Sequence, residues 1–562
     1  MNASAPPRPS AGHRVAAYAT ALLPSRRDYA GAGRTWRGDL IAGLTVGIVA
    51  LPLALGFGIS SGLSAEAGLI TAIVAGVIAA VFGGSHVQVS GPTGAMVVVL
   101  APIVALYGVG AVATVTVMAG AIVLIAGLLG LGRAVSFIPW PVIEGFTVGI
   151  GVIIFLQQVP QITTGRPATD HSSNAVIAAV QSLAAADPVY LAWALGAVAI
   201  VAACMLVAPR IHHAIPGSLI GIAIVTLLTL ALPNPLATIG GLPSTLPSPM
   251  LPALDPAALM PLLLPAATVA ALAAIESLLS ARVAASLADT GGYDPDRELV
   301  GQGLASLGSA MFGGMPATGA IARTAVNVRA GARSRIAAIF HTVVLLLVVL
   351  VVSGPVGHIP LAALAGVLMV TALRMVHLDT ARSILRSTRT DAVAFVLTAV
   401  VTVSLDLIAA IAVGVVFAGI VVLRGLSRAS GVTREELTGP AQPGDERIAL
   451  IRFDGPLFFA GADRIFEQVN AVSDVSVVIL RMSQLELVDA TGARMLGDIV
   501  QALERRRITV LIKGVQPRHE DLFRTVGVLD SLRHHKHLFV DLPAAIEHAR
   551  SHIRRESAAA TA

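Results

Sequence analysis

Between residues 40 and 424 the chain passes through fourteen apolar segments: 40–59, 67–82, 92–106, 110–131, 137–158, 189–208, 217–232, 259–281, 298–312, 318–330, 334–353, 359–376, 390–405 and 407–424. A full bilayer crossing by a helix needs about 20 apolar residues. The third, ninth and tenth segments fall short of that. The third and tenth also open on nearly the same string, Pro92-Thr93-Gly94-Ala95 and Pro316-Ala317-Thr318-Gly319-Ala320. Each string follows a glycine break, Phe82-Gly83-Gly84 and Phe312-Gly313-Gly314. Paired, interrupted segments at matching places in two halves mark the binding site of a membrane carrier. Thr before a helical run is a good N-cap, and a helix N-terminus attracts anions. The two strings therefore point to an anion carrier, against the plainer reading of two ordinary helix starts.

Charge separates the membrane part from the C-terminal part. Charged residues are 13% of the chain, about half the usual share. They are sparse from Leu40 to Leu423 and dense from Thr433 onward. The net charge of +5 is carried almost wholly by Arg, since Lys513 and Lys536 are the only lysines. It reflects membrane topology, and no nucleic-acid partner is expected. The single cysteine, Cys204, excludes a disulfide within one chain. The histidines show no metal-ligand spacing, and no metal or cofactor is expected. The polar stretch 1–37 lacks an apolar core followed by a cleavage site, so no cleaved signal peptide is read.

The positive-inside rule orients the segments. With Arg26, Arg27, Arg34 and Arg37 inside, alternation puts Arg133, Arg210, Arg282, Arg297, Arg329 to Arg335, Arg374 to Arg389, Arg424 and Arg428 on the cytoplasmic side. Only Arg166 falls outside. This predicts fourteen crossings of the cell membrane with both termini cytoplasmic. Fourteen divides into seven plus seven, and an odd number per half gives the halves opposite orientations. The third and tenth segments then bring their N-termini together near the midplane.

Arg323 lies five residues after Thr318. An intramembrane Arg is costly and by default functional, although it could belong with the cationic end formed by Arg329, Arg333 and Arg335. Glu276 and Ser280, four apart, share a helix face in the eighth segment. An intramembrane carboxylate suits ion coupling or pairing with Arg323. Glu144 reads equally as an interfacial carboxylate or a functional one. Gln157 and Gln158 receive no role, and Asp406 reads as a solvated turn residue. No nucleophile–base pair or phosphate loop is present, so no enzyme activity is expected.

From Arg447 the pattern changes. Strands are predicted over 448–453, 475–480 and 508–512, and helices over 491–505 and 517–526. That alternation predicts a small α/β domain. Asp489-Ala490-Thr491-Gly492 reads as an N-cap, or as a regulatory turn with Thr491 phosphorylatable.

In the stretches Asp39 to Gly47, Val89 to Ala95, Glu298 to Leu304 and Pro316 to Gly331, the chain resembles the SulP family of anion transporters. The tail, with Gly455 to Ala460 and Asp489 to Gly492, looks like that family's STAS domain. The resemblance implies a polytopic α-helical 7+7 inverted repeat with core and gate subdomains. It also implies elevator-type alternating access and a homodimer assisted by the STAS domain. Carried over by motif, the anion site uses Thr93, Gly94, Ala95, Thr318, Gly319, Ala320, Ala322 and Arg323. Glu276 and Ser280 stand where sodium-coupled members place an Asp and a Thr, and Ile321 replaces a third Thr. That departure favours the proton over sodium as coupling ion. Sulfate is the first substrate expected, with bicarbonate next; a C4-dicarboxylate/proton symporter or an anion channel is the alternative. The expected divisions are 1–37 cytoplasmic segment, 38–425 transporter domain, 426–446 linker, 447–553 STAS domain and 554–562 disordered tail.

Overall fold

The computed structural model describes residues 20–133, 138–165, 174–211, 216–250, 256–404 and 407–561. Arg166 and Asp406 lie outside them. The chain forms two compact units, residues 1–415 and 416–562.

The first unit is helical. Its elements are α1 Ala32–Ser60, α2 Ala65–Phe82, β1 Ser90–Gly91, α3 Gly94–Tyr107, α4 Gly110–Leu128 and α5 Trp140–Thr163. Then come α6 Ala175–Ala184, α7 Pro188–Ile211, α8 Gly217–Ala231, α9 Pro256–Leu287 and α10 Pro295–Met311. It continues with β2 Thr318–Gly319, α11 Ile321–Arg329, α12 Arg335–Gly357, α13 Leu361–Met375, α14 Leu378–Arg386 and α15 Arg389–Ser404. Helix α16, Leu407–Ala429, crosses into the second unit. Every apolar segment read from the sequence overlaps a helix. Among the described residues, eight helices are long and apolar enough to cross a membrane.

In lipid the hydrophobic effect cannot drive helices together, so packing depends on small residues that let backbones approach. Gly43 and Gly47 of α1 do this against α12. A Cβ on Gly43 would lie 2.5 Å from the Ala337 carbonyl oxygen, and one on Gly47 2.8 Å from a Val344 methyl. Helices α4 and α10 approach in the same way, with Gly127 against the Asp296 carbonyl and Gly303 against the Leu124 amide.

Helices α3 and α11 have 14 and 9 residues, about 21 and 13 Å at 1.5 Å per residue. Neither crosses alone. The non-helical runs before them, residues 87–93 and 314–320, are buried in protein. That is the condition under which irregular backbone is tolerated at membrane depth.

The second unit is an α/β sandwich. Strands β3 Gly431–Glu435, β4 Ile448–Leu457, β5 Val477–Arg481, β7 Thr509–Lys513 and β8 Leu538–Phe539 form a sheet in the order 3-4-5-7-8. Strand β6, Leu485–Val488, also pairs with β4. Among the described residues of this sheet, only the β3–β4 pair is antiparallel. Alternation divides the strand residues between two cores. Ala449, Ile451 and Phe453 pack with α17 Ala462–Asn470, α18 Ala490–Arg505 and α19 Pro517–Thr525. Ile448, Leu450, Val477 and Ile479 pack against Ala545, Ile546, Ala549 and Ile553 of α20, Leu542–Thr561.

Two expected boundaries need correction. The stretch 426–446 is not a bare linker, because β3 within it completes the sheet edge. Residues 554–561 are not a disordered tail. They continue α20, which is anchored by Ile553 in the core and by a Glu556–Arg447 ion pair of 2.5 Å. The first gains its order from edge pairing, and the second extends a helix whose apolar stripe, Ala545 to Ile553, lies just before it.

Candidate functional site

Strands β1 and β2 pair antiparallel, with Ser90 opposite Gly319 and Gly91 opposite Thr318. The Ala320 amide donates to the Val89 carbonyl at 2.8 Å. This two-residue ladder joins the starts of α3 and α11. Each helix therefore presents its first turn to the same point.

Thr93 occupies the N-cap position of α3 in extended backbone, but its hydroxyl caps nothing. It donates to Glu276 Oε2 at 2.8 Å. Ala320, not Thr318, is the N-cap residue of α11. The Thr318 hydroxyl also reaches Glu276 Oε2, at 2.9 Å. The expected capping role is thus corrected: both hydroxyls converge on one carboxylate of α9. The first amides of both helices are left without a side-chain cap among the described residues, the arrangement that attracts an anion. Next to Glu276, Ser277 accepts from the Gly319 amide at 3.0 Å and fixes α9 against β2.

Arg323 is the third residue of α11, and it is 2% exposed. Helical side chains tilt toward the N-terminus, and its guanidinium runs that way to donate from Nη2 to the Pro92 carbonyl. Its Nη1 has no hydrogen-bond partner among the described residues. Gly91 makes room for it. Gly91 has φ +153°, and a Cβ there would stand 2.9 Å from Nη1. The Arg is therefore part of the junction and not of the cationic end of α11.

Other expected residues are distributed around this point. Gly319 allows close approach, since a Cβ would fall 1.8 Å from Gln88 Nε2. A Cβ on Gly94 would fall 2.2 Å from Ile154 Cδ1, so α5 closes directly over the start of α3. Ala95 and Ala320 are buried, while Ala322 is exposed. Ser280 does not join Glu276. Its hydroxyl lies 3.3 Å from that of Thr324, which accepts from the Val89 amide at 3.0 Å. Glu144 accepts from the exposed Trp140 indole at 3.2 Å, as an interfacial group does. Gln158 accepts from Ser60 at 3.2 Å. Thr491 is exposed in the first turn of α18, whose cap is Asp489, accepting from the Gly492 amide at 2.7 Å.

One supporting group went unassigned in the sequence. Glu298 of α10 is 2% exposed and accepts four hydrogen bonds. Oε2 takes the amides of Gly84 and Ser85 at 2.8 and 3.2 Å. Oε1 takes Gln88 and Gln302, both at 2.9 Å. Gln302 Nε2 also lies 2.6 Å from the Ser90 hydroxyl. This network holds the loop that delivers β1. A carboxylate in an apolar segment was its available signal; the Gly84, Ser85 and Gln88 partners, more than 200 positions away, were not visible.

A sequence model described as the sulfate permease family matches residues 36–398, and one for the STAS domain matches 440–545. YvdB of Bacillus subtilis (strain 168), whose name assigns it provisionally to sulfate transport, is 34% identical over 505 residues, covering 88% of this chain and 94% of YvdB. The bicarbonate transporter BicA of a Picosynechococcus species is 30% identical, covering 85% and 89%. The murine anion transporter Solute Carrier 26 family member A9 shares the fold at a TM-score of 0.81, with 18% identity and 95% of each chain covered.

Proposed function

This chain belongs to the sulfate permease family, a family of multi-pass membrane transporters and not of enzymes, and we propose that it is a proton-coupled secondary transporter of an inorganic oxyanion. Sulfate is the first substrate and bicarbonate the second, the anions for which its relatives are named. One observation carries the reading. Two uncapped helix starts, two threonine hydroxyls and a buried guanidinium whose Nη1 is unpartnered among the described residues converge where α3 meets α11.

Glu276 supplies the coupling. Its carboxylate takes the Thr93 and Thr318 hydroxyls, the donors an incoming oxyanion needs. Protonation removes the competing charge and releases those donors. A proton and an anion then load together. The site lies where the core, α1–α4 with α9–α12, meets Ile154 of the gate helix α5. Alternating access follows from an elevator-like movement of that core past the gate. The working unit proposed is a homodimer in the cell membrane with both termini cytoplasmic.

The test is uptake of labelled sulfate, bicarbonate and succinate by reconstituted liposomes, with and without an inward proton gradient. Gradient-driven accumulation of sulfate or bicarbonate supports the reading. Accumulation of succinate alone moves the assignment to a dicarboxylate symporter. Ionic current without any accumulation replaces the carrier by a channel.

A further inference from the structure

Three histidines of the second unit come together at the packing of α20 on the turn before β8. His548 and His552 are four apart on α20, on one helical face, with their Nε2 atoms 3.3 Å apart. His537 ends that short turn, its ring centroid 5.5 Å from each of theirs. One nitrogen from each ring lies within 4.8 Å of the others. His537 is 5% exposed, and its Nδ1 has no hydrogen-bond partner among the described residues. Phe539 packs on the His548 ring at 5.3 Å and limits its rotation.

We propose that His537, His548 and His552 form a site for one divalent transition metal of the zinc class, tying α20 to the turn that leads into β8. Imidazole nitrogens are the ligands that suit zinc, copper and nickel. Two nitrogens on a tetrahedral Zn²⁺, at about 2.0–2.1 Å each, stand about 3.4 Å apart. The His548–His552 separation already matches that, and a nitrogen of His537 lies within 4.8 Å of both. Three ligands leave the fourth position to water. Metal ligation also requires neutral rings. Burial and the neighbouring imidazoles push His537 down to about 4, and burial lowers His548 and His552. The other charged groups acting on the cluster are His534, Arg533, Arg555 and Glu556, the last paired with Arg447 at 2.5 Å.

Full-length protein, purified in detergent without a polyhistidine tag and stripped with chelator, is titrated with Co²⁺ and then Zn²⁺. The expected result is one Co²⁺ per chain, with the visible absorption of a low-coordinate site, displaced by one equivalent of Zn²⁺. His548→Gln and His552→Gln are expected each to weaken Zn²⁺ binding by about 10- to 100-fold or more, with melting in chelator unchanged. Wild-type protein that shows no stoichiometric Co²⁺ absorption overturns the proposal, whatever the variants do. So does stoichiometric binding that survives when both substitutions are combined, because the metal then sits elsewhere.

Discussion

The hydroxyls of Thr93 and Thr318, 225 positions apart in sequence, lie 3.3 Å apart in the fold. Both point to the same oxygen of Glu276, so two helix starts and a third helix share one polar centre. Within an otherwise apolar unit, a shared centre of this kind fixes the helices relative to each other as well as defining a binding place. Single substitutions separate those two roles.

In the proposed mechanism Arg323 supplies the positive charge of the site. Arg323→Ala should weaken sulfate binding by about 10- to 100-fold, the range for losing one charge-assisted contact of roughly 1.5–3 kcal/mol. Arg323→Lys keeps a cation and serves as the folded comparison. Equilibrium binding of labelled sulfate to both variants decides the matter. Unchanged affinity in the Ala variant would remove Arg323 from the site.

Glu276→Gln keeps an acceptor for the two threonine hydroxyls but cannot exchange a proton. Counterflow of labelled anion should persist, while proton-driven accumulation is lost. Liposomes assayed with equal and unequal pH across the membrane distinguish these. Full pH-driven accumulation in the variant would place the coupling proton on another group.

Gly94→Ala should block transport through Ile154, because the new methyl would need space that Cδ1 occupies at 2.2 Å. Overpacking of this kind costs about 1–3 kcal/mol. Adding Ile154→Ala should restore a good part of the rate. A double variant as inactive as the single one would show that the clash with α5 is not the cause.

Glu298 is expected to be structural. Glu298→Ala leaves the Gly84 and Ser85 amides and the Gln88 amide group without their acceptor, and Gln302 with Ser90 alone. Each buried orphan costs about 1–3 kcal/mol. The variant should lose several degrees of melting temperature or fail to accumulate in the membrane. A normal melting temperature with altered transport would instead make it part of the mechanism.

In the second unit, the Arg550 guanidinium hydrogen-bonds Asp445 at 2.9 and 2.7 Å and holds its carboxyl below the ordinary 3.8. A lowered folded-state pKa adds stability that is present above that ordinary value and is lost as pH falls through the folded one. Asp445→Asn should therefore melt lower than wild type at pH 7, and the gap should close below about pH 4. A gap that widens in acid would contradict the pairing.

Much of the fold was legible one residue at a time. The helices of the first unit follow from apolar runs, and the sheet core of the second from short β-branched stretches. The twin strings before α3 and α11 were readable because each follows a Gly-Gly break and carries a Pro just before its Thr-Gly-Ala. What was misread depended on partners. Thr93 looked like a cap because Thr before a helix usually is one, yet its hydroxyl is taken by a group 183 positions away. Ser280 shared a face with Glu276 by spacing, but Thr324 claims it. The histidines were read as lacking metal-ligand spacing, because His537 comes beside His548 and His552 only through the fold.

The sequence by itself determined that this is a membrane protein with two interrupted half-helices and an appended α/β domain. Those properties are set by local hydropathy and by the distribution of charge, which each segment carries without its neighbours. Only the tertiary structure decided that Thr93, Thr318 and Glu276 share one hydrogen-bonded centre with Arg323 beside it, and that Glu298 supports the loop that builds it. Hydrogen bonds act over about 3 Å, so which groups meet is settled by how the helices pack.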